Sequence, residues 1–254
     1  MVILAGGFGT RLQEETEIRP KPMVQIGERP ILWHILKLYG HFGLRHFVVA
    51  LGYKGEQIKS FFLDYSHLSR DISVSTRTGA AAPLSRDGDD WTVDLVDTGF
   101  ATNTGGRLAR LARLLPDESF CLTYGDCLTN ADIRKTIEFH ESHDKLVTLT
   151  AVRPPSRFGW IELEGDRVTE FVEKPDFGEG WVNGGFMVFR RGVLERISSD
   201  SQSLELDVIG PLAAEGQVRA VTHDDFWHPM DTLKDVRLLR SLWDGGAAPW
   251  KLWR

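Results

Sequence analysis

The chain has 254 residues, which is enough for one large domain or two small domains with a sizeable hydrophobic core. Hydrophobic residues make up 42% and charged residues 26% of the chain, the balance of a soluble globular protein, and the net charge of −6 argues against a nucleic-acid partner. The sequence lacks an apolar run near the roughly 20 residues of a transmembrane helix, and its two cysteines make neither a disulfide framework nor a four-ligand zinc site, so we expect no membrane partner and a cytoplasmic location.

Strand-like and helix-like segments alternate along the chain. We predict strands at residues 2–5, 46–51, 120–124 and 146–152, and helices at residues 31–41, 55–65, 133–143 and 233–243. This alternation is typical of the α/β class and predicts a doubly wound, mostly parallel, Rossmann-like mixed sheet. Two β-rich excursions, at residues 70–96 and 160–180, interrupt it, with turns expected at residues 87–90 and 164–166. We interpret residues 1–254 as a single domain with these excursions and a C-terminal helical tail.

A glycine-rich loop follows directly after the first predicted strand. Gly6, Gly7 and Gly9 let backbone N–H groups approach phosphate oxygens closely, and Arg11 offers a fixed fork of donors. The loop lacks the lysine of a P-loop, and Leu12 stands where a dinucleotide fingerprint needs its third glycine. A plain glycine-rich turn is the alternative. The position at the carboxyl end of a strand, where ligands bind in such sheets, favours a nucleotide or another polyphosphate.

A lysine enclosed by prolines comes shortly after this loop. Pro20 and Pro22 stiffen the backbone and keep Lys21 out of a helix. A lysine on a rigid loop is well placed to hold a phosphate as a point charge. The alternative is a solvated lysine in an exposed loop, but the nearby glycine loop favours the phosphate.

Two aspartates are candidate metal ligands. Asp126 follows a predicted strand, and Asp231 lies just before the last predicted helix. Mg²⁺ prefers one or two carboxylates together with substrate phosphates and water. Each aspartate could instead cap a helix, although Asn130 or Asp132 would serve better than Asp126 because they lie nearer the following helix.

Two further segments carry groups suited to phosphates and sugars. Lys174 can neutralise a second phosphate. Asn183 and Gly184 can offer a side-chain amide and a backbone N–H to a sugar hydroxyl, although Asn-Gly-Gly is by itself a turn sequence. Another glycine-rich loop, at residues 102–107, leads into a helix.

Taken together, these motifs resemble those of the sugar-1-phosphate nucleotidyltransferases. The stretch 4–12 and the segment 19–23 carry the family signature. Within the family, the chain is similar to the members that use CTP and glucose 1-phosphate. The segments that carry this similarity are distributed along the whole chain, at residues 30–34, 52–55, 96–99, 104–108, 157–159, 184–186, 226–233 and 248–251.

The resemblance implies a reaction and a set of partners. It implies transfer of a cytidylyl group from CTP to α-D-glucose 1-phosphate, giving CDP-glucose and diphosphate. It also implies a Mg²⁺ ion held by Asp126 and Asp231, and a homo-oligomer, typically a hexamer. The sugar phosphate is already nucleophilic, so the reaction needs positioning and charge screening rather than a general base.

The resemblance also implies a role for each site residue. Lys174, Asn183 and Gly184 would bind the sugar phosphate. Arg11, Lys21 and Asp126 would be the catalytic residues. The nucleotide-binding residues would be Leu4, Ala5, Gly6, Gly7, Phe8, Gly9, Thr10, Arg11, Lys21, Thr102, Arg107 and Gly125.

The chain departs from the family pattern at two places. Cys127 follows the metal-binding aspartate where the family usually has glycine, and Leu204 precedes Glu205 where the family usually has tryptophan. The departure at Cys127 bears on the local geometry beside the metal site, and the departure at Leu204 bears on which sugar the protein accepts. Cys127 is interpreted as a small buried side chain, with a reactive thiol as the alternative.

Three other functions remain open at this point. The same chemistry could use another nucleotide, such as dTTP or GTP, or another sugar 1-phosphate. The chain could be an inactive sensor that binds a sugar nucleotide. It could also be a scaffold subunit that uses an exposed tail carrying Trp243, Trp250 and Trp253.

Overall fold

A computed structural model describes residues 1–85, 88–154, 160–164, 167–172 and 180–253. Its strands are β1 (Val2–Leu4), β2 (Gln25–Ile26), β3 (Arg29–Pro30), β4 (His46–Leu51), β5 (Ile72–Val74), β6 (Ala81–Pro83), β7 (Thr92–Asp97), β8 (Ser119–Tyr124), β9 (Cys127–Thr129), β10 (Val147–Val152), β11 (Trp160–Glu164), β12 (Arg167–Val172), β13 (Val182–Arg190), β14 (Val218–His223) and β15 (Trp227–Pro229). Its α-helices are α1 (Gln13–Thr16), α2 (Ile31–His41), α3 (Gly55–Leu68), α4 (Thr104–Arg110), α5 (Ile133–Glu141), α6 (Gly210–Ala214) and α7 (Leu233–Asp244). A π-helical segment, Leu204–Ile209, precedes α6.

The central sheet has seven strands in the order β14-β10-β13-β8-β1-β4-β7. Strand β13 is antiparallel to both of its neighbours, and the other neighbouring pairs are parallel. The carboxyl ends of β1, β4 and β8 therefore meet at one edge. This arrangement confirms the predicted α/β class with a mostly parallel mixed sheet.

The side chains of the sheet alternate between two hydrophobic cores. Ile3 enters the core that also contains α2 and α7, whereas Val2 and Leu4 enter the core that contains α4, the π-helical segment and α6. Since successive side chains of a strand point to opposite faces, apolar residues at every position of β1 indicate helices on both sides. The sheet is therefore covered on both faces, as the doubly wound prediction requires.

The first β-rich excursion differs from the prediction. Residues 70–96 were expected to stand apart from the main alternation, but Thr92–Asp97 joins the central sheet as an edge strand parallel to β4. Only β5 and β6 form a separate hairpin, and both of its strands are exposed. The second excursion contains the expected hairpin of β11 and β12. The predicted turns include residues 87, 165 and 166, which lie outside the described residues.

The C-terminal tail folds back onto the chain. Trp250 is fully buried, stacks on Trp243 and Phe226, and donates an Nε1–H hydrogen bond of 3.3 Å to Nδ1 of His34. Trp243 and Trp253 are partly buried against the same core. The expectation of an exposed tryptophan tail is therefore wrong, because these rings complete the core under α2. In the part of the chain that the structure describes, none of the helices has the length and hydrophobicity needed to span a bilayer.

Candidate functional site

A cavity of about 660 Å³ opens at the carboxyl edge of the central sheet. All the residues that we assigned to nucleotide binding line it, and so does Asp126. The glycine loop after β1 forms one side of the cavity, and the loop before α4 forms another. The fold thus brings these distant segments together at the edge where ligands bind in open α/β sheets.

Four charged side chains meet at this cavity. The Lys21 ammonium Nζ lies 2.7 Å from Asp126 Oδ2 and 2.7 Å from Asp231 Oδ1. The Arg11 guanidinium lies 2.8 Å from the other oxygen of Asp231. Lys21 and Asp231 are each 8% exposed, whereas the Arg11 side chain is 69% exposed. Two cations and two carboxylates therefore form one cluster, with its inner members buried and Arg11 facing solvent.

The charge state of Lys21 follows from its two partners. Burial by itself lowers the pKa of Lys21, but the negative charge of Asp126 and hydrogen bonds to both carboxylates together raise that pKa above its ordinary value. Lys21 is therefore a cation at neutral pH, as a phosphate ligand must be.

Backbone contacts bring the two aspartates together. Asp126 follows β8, and the N–H of Gly125 donates a 3.0 Å hydrogen bond to the Leu4 carbonyl of β1. Strand β15 pairs with β9, and the N–H of Met230 donates a 2.8 Å hydrogen bond to the Asp126 carbonyl. Because Asp231 directly follows Met230, its carboxylate is fixed beside that of Asp126.

The structure assigns the capping roles to other residues. Thr232 caps α7, and its capping box is completed by the Asp235 side chain. Capping of α7 by Asp231 is therefore wrong. Asp132 caps α5 through hydrogen bonds from the Arg134 and Lys135 N–H groups, as expected for the residue nearest that helix.

Arg107 holds the walls of the cavity together. Its buried guanidinium donates hydrogen bonds to the carbonyls of Leu51 (2.9 Å), Gly99 (2.8 Å) and Gly6 (3.1 Å), as well as to the Thr98 hydroxyl (2.8 Å). These acceptors lie at the carboxyl ends of three strands: Gly6 follows β1, Leu51 ends β4, and Thr98 and Gly99 follow β7. Arg107 lines the cavity as expected, but most of its donors are engaged by the protein itself.

The expected sugar-phosphate residues are only partly described. Lys174 and residues 157–159 lie outside the described residues. Asn183 and Gly184 lie within β13 rather than in a turn, and Gly184 accepts a 2.7 Å hydrogen bond from Trp227 Nε1. Neither residue lines the cavity. They do lie at its edge of the sheet, because β13 pairs with β8 so that Phe186 is opposite Thr123.

One polar network was not predicted. The Glu205 carboxylate accepts hydrogen bonds from Tyr124, from Thr104 (2.9 Å) and from Ser203 (2.8 Å), and Tyr124 and Thr104 both line the cavity. Burial alone raises the pKa of Glu205, but these donors lower it below the ordinary value. Because Tyr124 and Thr104 are distant from Glu205 in sequence, periodicity and spacing gave no signal for this network.

Cys127 is buried, as expected for a free cysteine. Burial and the neighbouring Asp126 charge raise the pKa of its thiol well above the ordinary value. A reactive thiolate at this position is therefore disfavoured.

The donor set of the cluster fits Mg²⁺. Asp126 and Asp231 present hard carboxylate oxygens that are close together, because each lies 2.7 Å from Lys21 Nζ, and the adjoining cavity has room for phosphates and water. Among the described residues, no cluster of three or more His, Cys, Asp or Glu side chains is arranged to hold a metal. A metal here would thus take its remaining ligands from substrate and solvent, which is the usual arrangement for Mg²⁺.

Comparison with curated proteins gives relatives that match nearly the whole of this chain. The glucose-1-phosphate cytidylyltransferase of Salmonella typhi is 45% identical, with 99% of this chain and 98% of the relative covered. The probable glucose-1-phosphate cytidylyltransferase of Bacillus subtilis is 36% identical, with 99% of each chain covered. A mannose-1-phosphate guanylyltransferase of Mycobacterium tuberculosis is 32% identical over 92% of this chain and 61% of the relative.

Solved structures share the fold. The crystal structure of HddC from Yersinia pseudotuberculosis matches with a TM-score of 0.69 at 24% identity, covering 95% of this chain and 98% of that one. A UDP-glucose pyrophosphorylase complexed with UDP-glucose matches with a TM-score of 0.68 at 14% identity, covering 96% of this chain and 98% of the other. The nucleotidyl transferase family model matches residues 1–246, and the chain belongs to this family.

Proposed function

We propose that the protein transfers a cytidylyl group from CTP to α-D-glucose 1-phosphate, releasing diphosphate and CDP-glucose. The observation that carries the proposal is the cluster of Arg11, Lys21, Asp126 and Asp231 beside the glycine loop. The 45% identity to a glucose-1-phosphate cytidylyltransferase over 99% of the chain supports the choice of substrates.

The reaction requires two anions to approach each other in line. The sugar phosphate is already a nucleophile, so the protein contributes position and positive charge rather than a base. Backbone N–H groups of Gly6, Gly7 and Gly9 would hold the phosphate chain of CTP. Lys21 would stabilise charge on the α-phosphoryl oxygens, and Arg11, exposed at the mouth of the cavity, would neutralise the departing diphosphate.

Asp126 and Asp231 would hold Mg²⁺. A bound Mg²⁺ supplies positive charge that screens repulsion between the phosphates. The two carboxylates balance the charges of Arg11 and Lys21, so the four side chains together carry no net charge. A divalent ion would then add the positive charge that a nucleoside triphosphate and a sugar phosphate both require.

The acceptor would bind beside β13. Asn183 and Gly184 lie at the same edge of the sheet as Asp126, and Lys174 is proposed to orient the attacking phosphate. This placement rests on the sheet register and on the resemblance.

The oligomeric state and the cellular location are also proposals. Several apolar side chains of α3, of β5 and of the residue after β6 are exposed, which supports a contact between copies of the chain in a homo-oligomer, with a hexamer implied by resemblance. These side chains are Leu63, Leu68, Ile72, Val74 and Leu84. A cytoplasmic location agrees with two cysteines that are both free and buried.

Diphosphate release in the presence of Mg²⁺ tests the proposal. CTP, dTTP, UTP, GTP and ATP are each combined with glucose 1-phosphate and with other sugar 1-phosphates. We expect release only with CTP and glucose 1-phosphate. Release with another nucleotide or sugar would keep the chemistry and change the substrates. Failure of every pair would contradict the proposal and favour an inactive sensor.

A further inference from the structure

The loop before α3 reaches across to the segment that carries Arg11 and Lys21. The Tyr53 hydroxyl donates a 3.0 Å hydrogen bond to the Thr16 carbonyl, and Gln57 Nε2 donates a 3.0 Å hydrogen bond to the Ile18 carbonyl. The Lys54 ammonium donates to the Glu17 carbonyl and lies 3.5 Å from the Thr16 carbonyl. Three side chains of one short stretch thus bind three successive carbonyls of another.

These carbonyls lie at the end of α1. The last carbonyls of a helix have no partner within it. The side-chain donors of Tyr53, Lys54 and Gln57 supply partners for the carbonyls of residues 16–18. The contacts of Tyr53, Lys54 and Gln57, which we call the α1 clamp, therefore fix the C-terminal end of α1.

Thr16 connects the α1 clamp to the glycine loop. Its buried hydroxyl lies 3.1 Å from the Gly9 carbonyl and 3.0 Å from the Leu12 carbonyl. Gly9 and Leu12 lie on either side of Arg11. The hydrogen bonds of Thr16 thus link the α1 clamp to the backbone that presents Arg11 to Asp231.

The backbone of Lys54 indicates that its position is imposed by the surroundings. Its φ of 50° is in the left-handed region, and it is the one non-glycine residue with positive φ in the described ranges. An ordinary side chain is strained there, and a glycine would be relaxed. The chain therefore places a lysine at a position where glycine would cost less backbone strain.

We propose that Tyr53, Lys54 and Gln57 are positioning residues that hold the Arg11–Lys21 segment in its phosphate-binding arrangement. None of the three lines the cavity, so they act through the backbone of residues 9–21 rather than by touching substrate. The kinetic part of this inference rests on the proposed function. The structural part, which concerns the order of residues 9–21, does not depend on it.

Lys54→Gly is the decisive variant. It removes the ammonium and relieves the left-handed strain, so strain at residue 54 cannot explain a loss of function, and recovery in Lys54→Arg separates the lost ammonium from the added flexibility of a glycine. Tyr53→Phe removes one hydrogen bond and keeps the ring, and serves if Lys54→Gly does not fold. Lys59→Ala is the matched control, because it removes an exposed lysine from α3, the helix that Lys54 precedes.

Two measurements are made on each variant. Hydrogen exchange of the amides in residues 10–19 should rise in Lys54→Gly and stay unchanged in Lys59→Ala. The kcat/KM for CTP should fall about 10- to 100-fold in Lys54→Gly, the scale of a misplaced catalytic group. The KM for the sugar phosphate should not change, and Lys54→Arg should recover much of the loss.

Two results would overturn the proposal. Unchanged exchange in residues 10–19 would show that the clamp does not order the segment. An equal effect on both substrates, with a lowered melting temperature and no recovery in Lys54→Arg, would show a general structural role. If the wild-type chain released no diphosphate with any substrate pair, the proposed function would fail, and the exchange measurement alone would decide the clamp.

Discussion

Replacing Gly6 with alanine tests the packing between the glycine loop and Arg107. A Cβ at Gly6 would lie 2.3 Å from Nη1 and 2.4 Å from Cζ of Arg107, far inside van der Waals contact. The backbone of Gly6 is outside the left-handed region, so alanine is acceptable there on conformational grounds. The glycine is therefore required by the guanidinium alone.

The magnitude follows from how firmly the guanidinium is held. Arg107 is 5% exposed and donates to acceptors at the carboxyl ends of three strands, so it cannot move without breaking hydrogen bonds. Overpacking costs about 1–3 kcal/mol, and one lost hydrogen bond to a charged group costs about 1.5–3 kcal/mol. We expect Gly6→Ala to lower the free energy of unfolding by about 2–4 kcal/mol.

A double-mutant cycle isolates this contact. Arg107→Ala alone should also destabilise, because it leaves the carbonyls of Leu51 and Gly99 without their donor. In that background Gly6→Ala should cost less than about 0.5 kcal/mol, giving a coupling of about 1.5–4 kcal/mol between the two sites. Urea denaturation of the four proteins gives the free energies.

The neighbouring glycine provides the control. A Cβ at Gly7 would meet nothing within 4 Å, and its φ is not positive, so Gly7→Ala should leave the free energy of unfolding nearly unchanged. Additive effects of Gly6→Ala and Arg107→Ala would refute the reasoning, because the two residues would then not be in contact in solution.

Three further predictions concern the charged cluster and the buried histidines. Arg11→Ala should lower kcat about 10²- to 10³-fold and leave the melting temperature unchanged, because Arg11 is exposed. The control Arg113→Ala, at another exposed arginine, should change neither kcat nor the melting temperature. Asp126→Asn should abolish the Mg²⁺ dependence of diphosphate release, and an unchanged Mg²⁺ titration would place the metal elsewhere. Burial lowers the pKa of His34 to about 4, so the unfolded state binds its proton first and stability should fall by up to about 3 kcal/mol as the pH drops from 6.5 towards 4. Denaturation at both pH values should show a smaller loss of unfolding free energy in His34→Gln than in the wild type. Some pH dependence should remain because burial also lowers the pKa of His140 to about 4. An equal loss in both proteins would contradict the assignment of this pH dependence to His34.

Local patterns were sufficient for much of the fold. The helix at Ile31–His41 has the predicted bounds because its apolar spacing is a property of the segment itself. The edge strand Thr92–Asp97 was assigned to an excursion because strand pairing is not local. Nothing within residues 92–97 specifies that their partner is β4.

The burial of the C-terminal tail could likewise not be predicted from local sequence patterns. The residues next to Trp250 do not specify whether its ring is buried, and we interpreted it as part of an exposed tail. Its burial depends on Phe226, Trp243 and His34, which come from separate parts of the sequence. Only their packing around α2 shows that the ring belongs to the core.

The sequence by itself determined that a glycine loop, an arginine and a proline-enclosed lysine are available to bind phosphate. It also determined the class of the sheet that presents them, because the phosphate-binding motifs and the alternation of strands and helices depend on residue types and short spacings. The family resemblance implied that Asp231 joins Asp126, whereas the residues themselves left capping of α7 open, and the tertiary structure decided between the two. These aspartates are far apart in sequence, and their meeting depends on the pairing of β15 with β9 and on Thr232 as the cap. Long-range contacts of this kind leave no periodic trace along the chain.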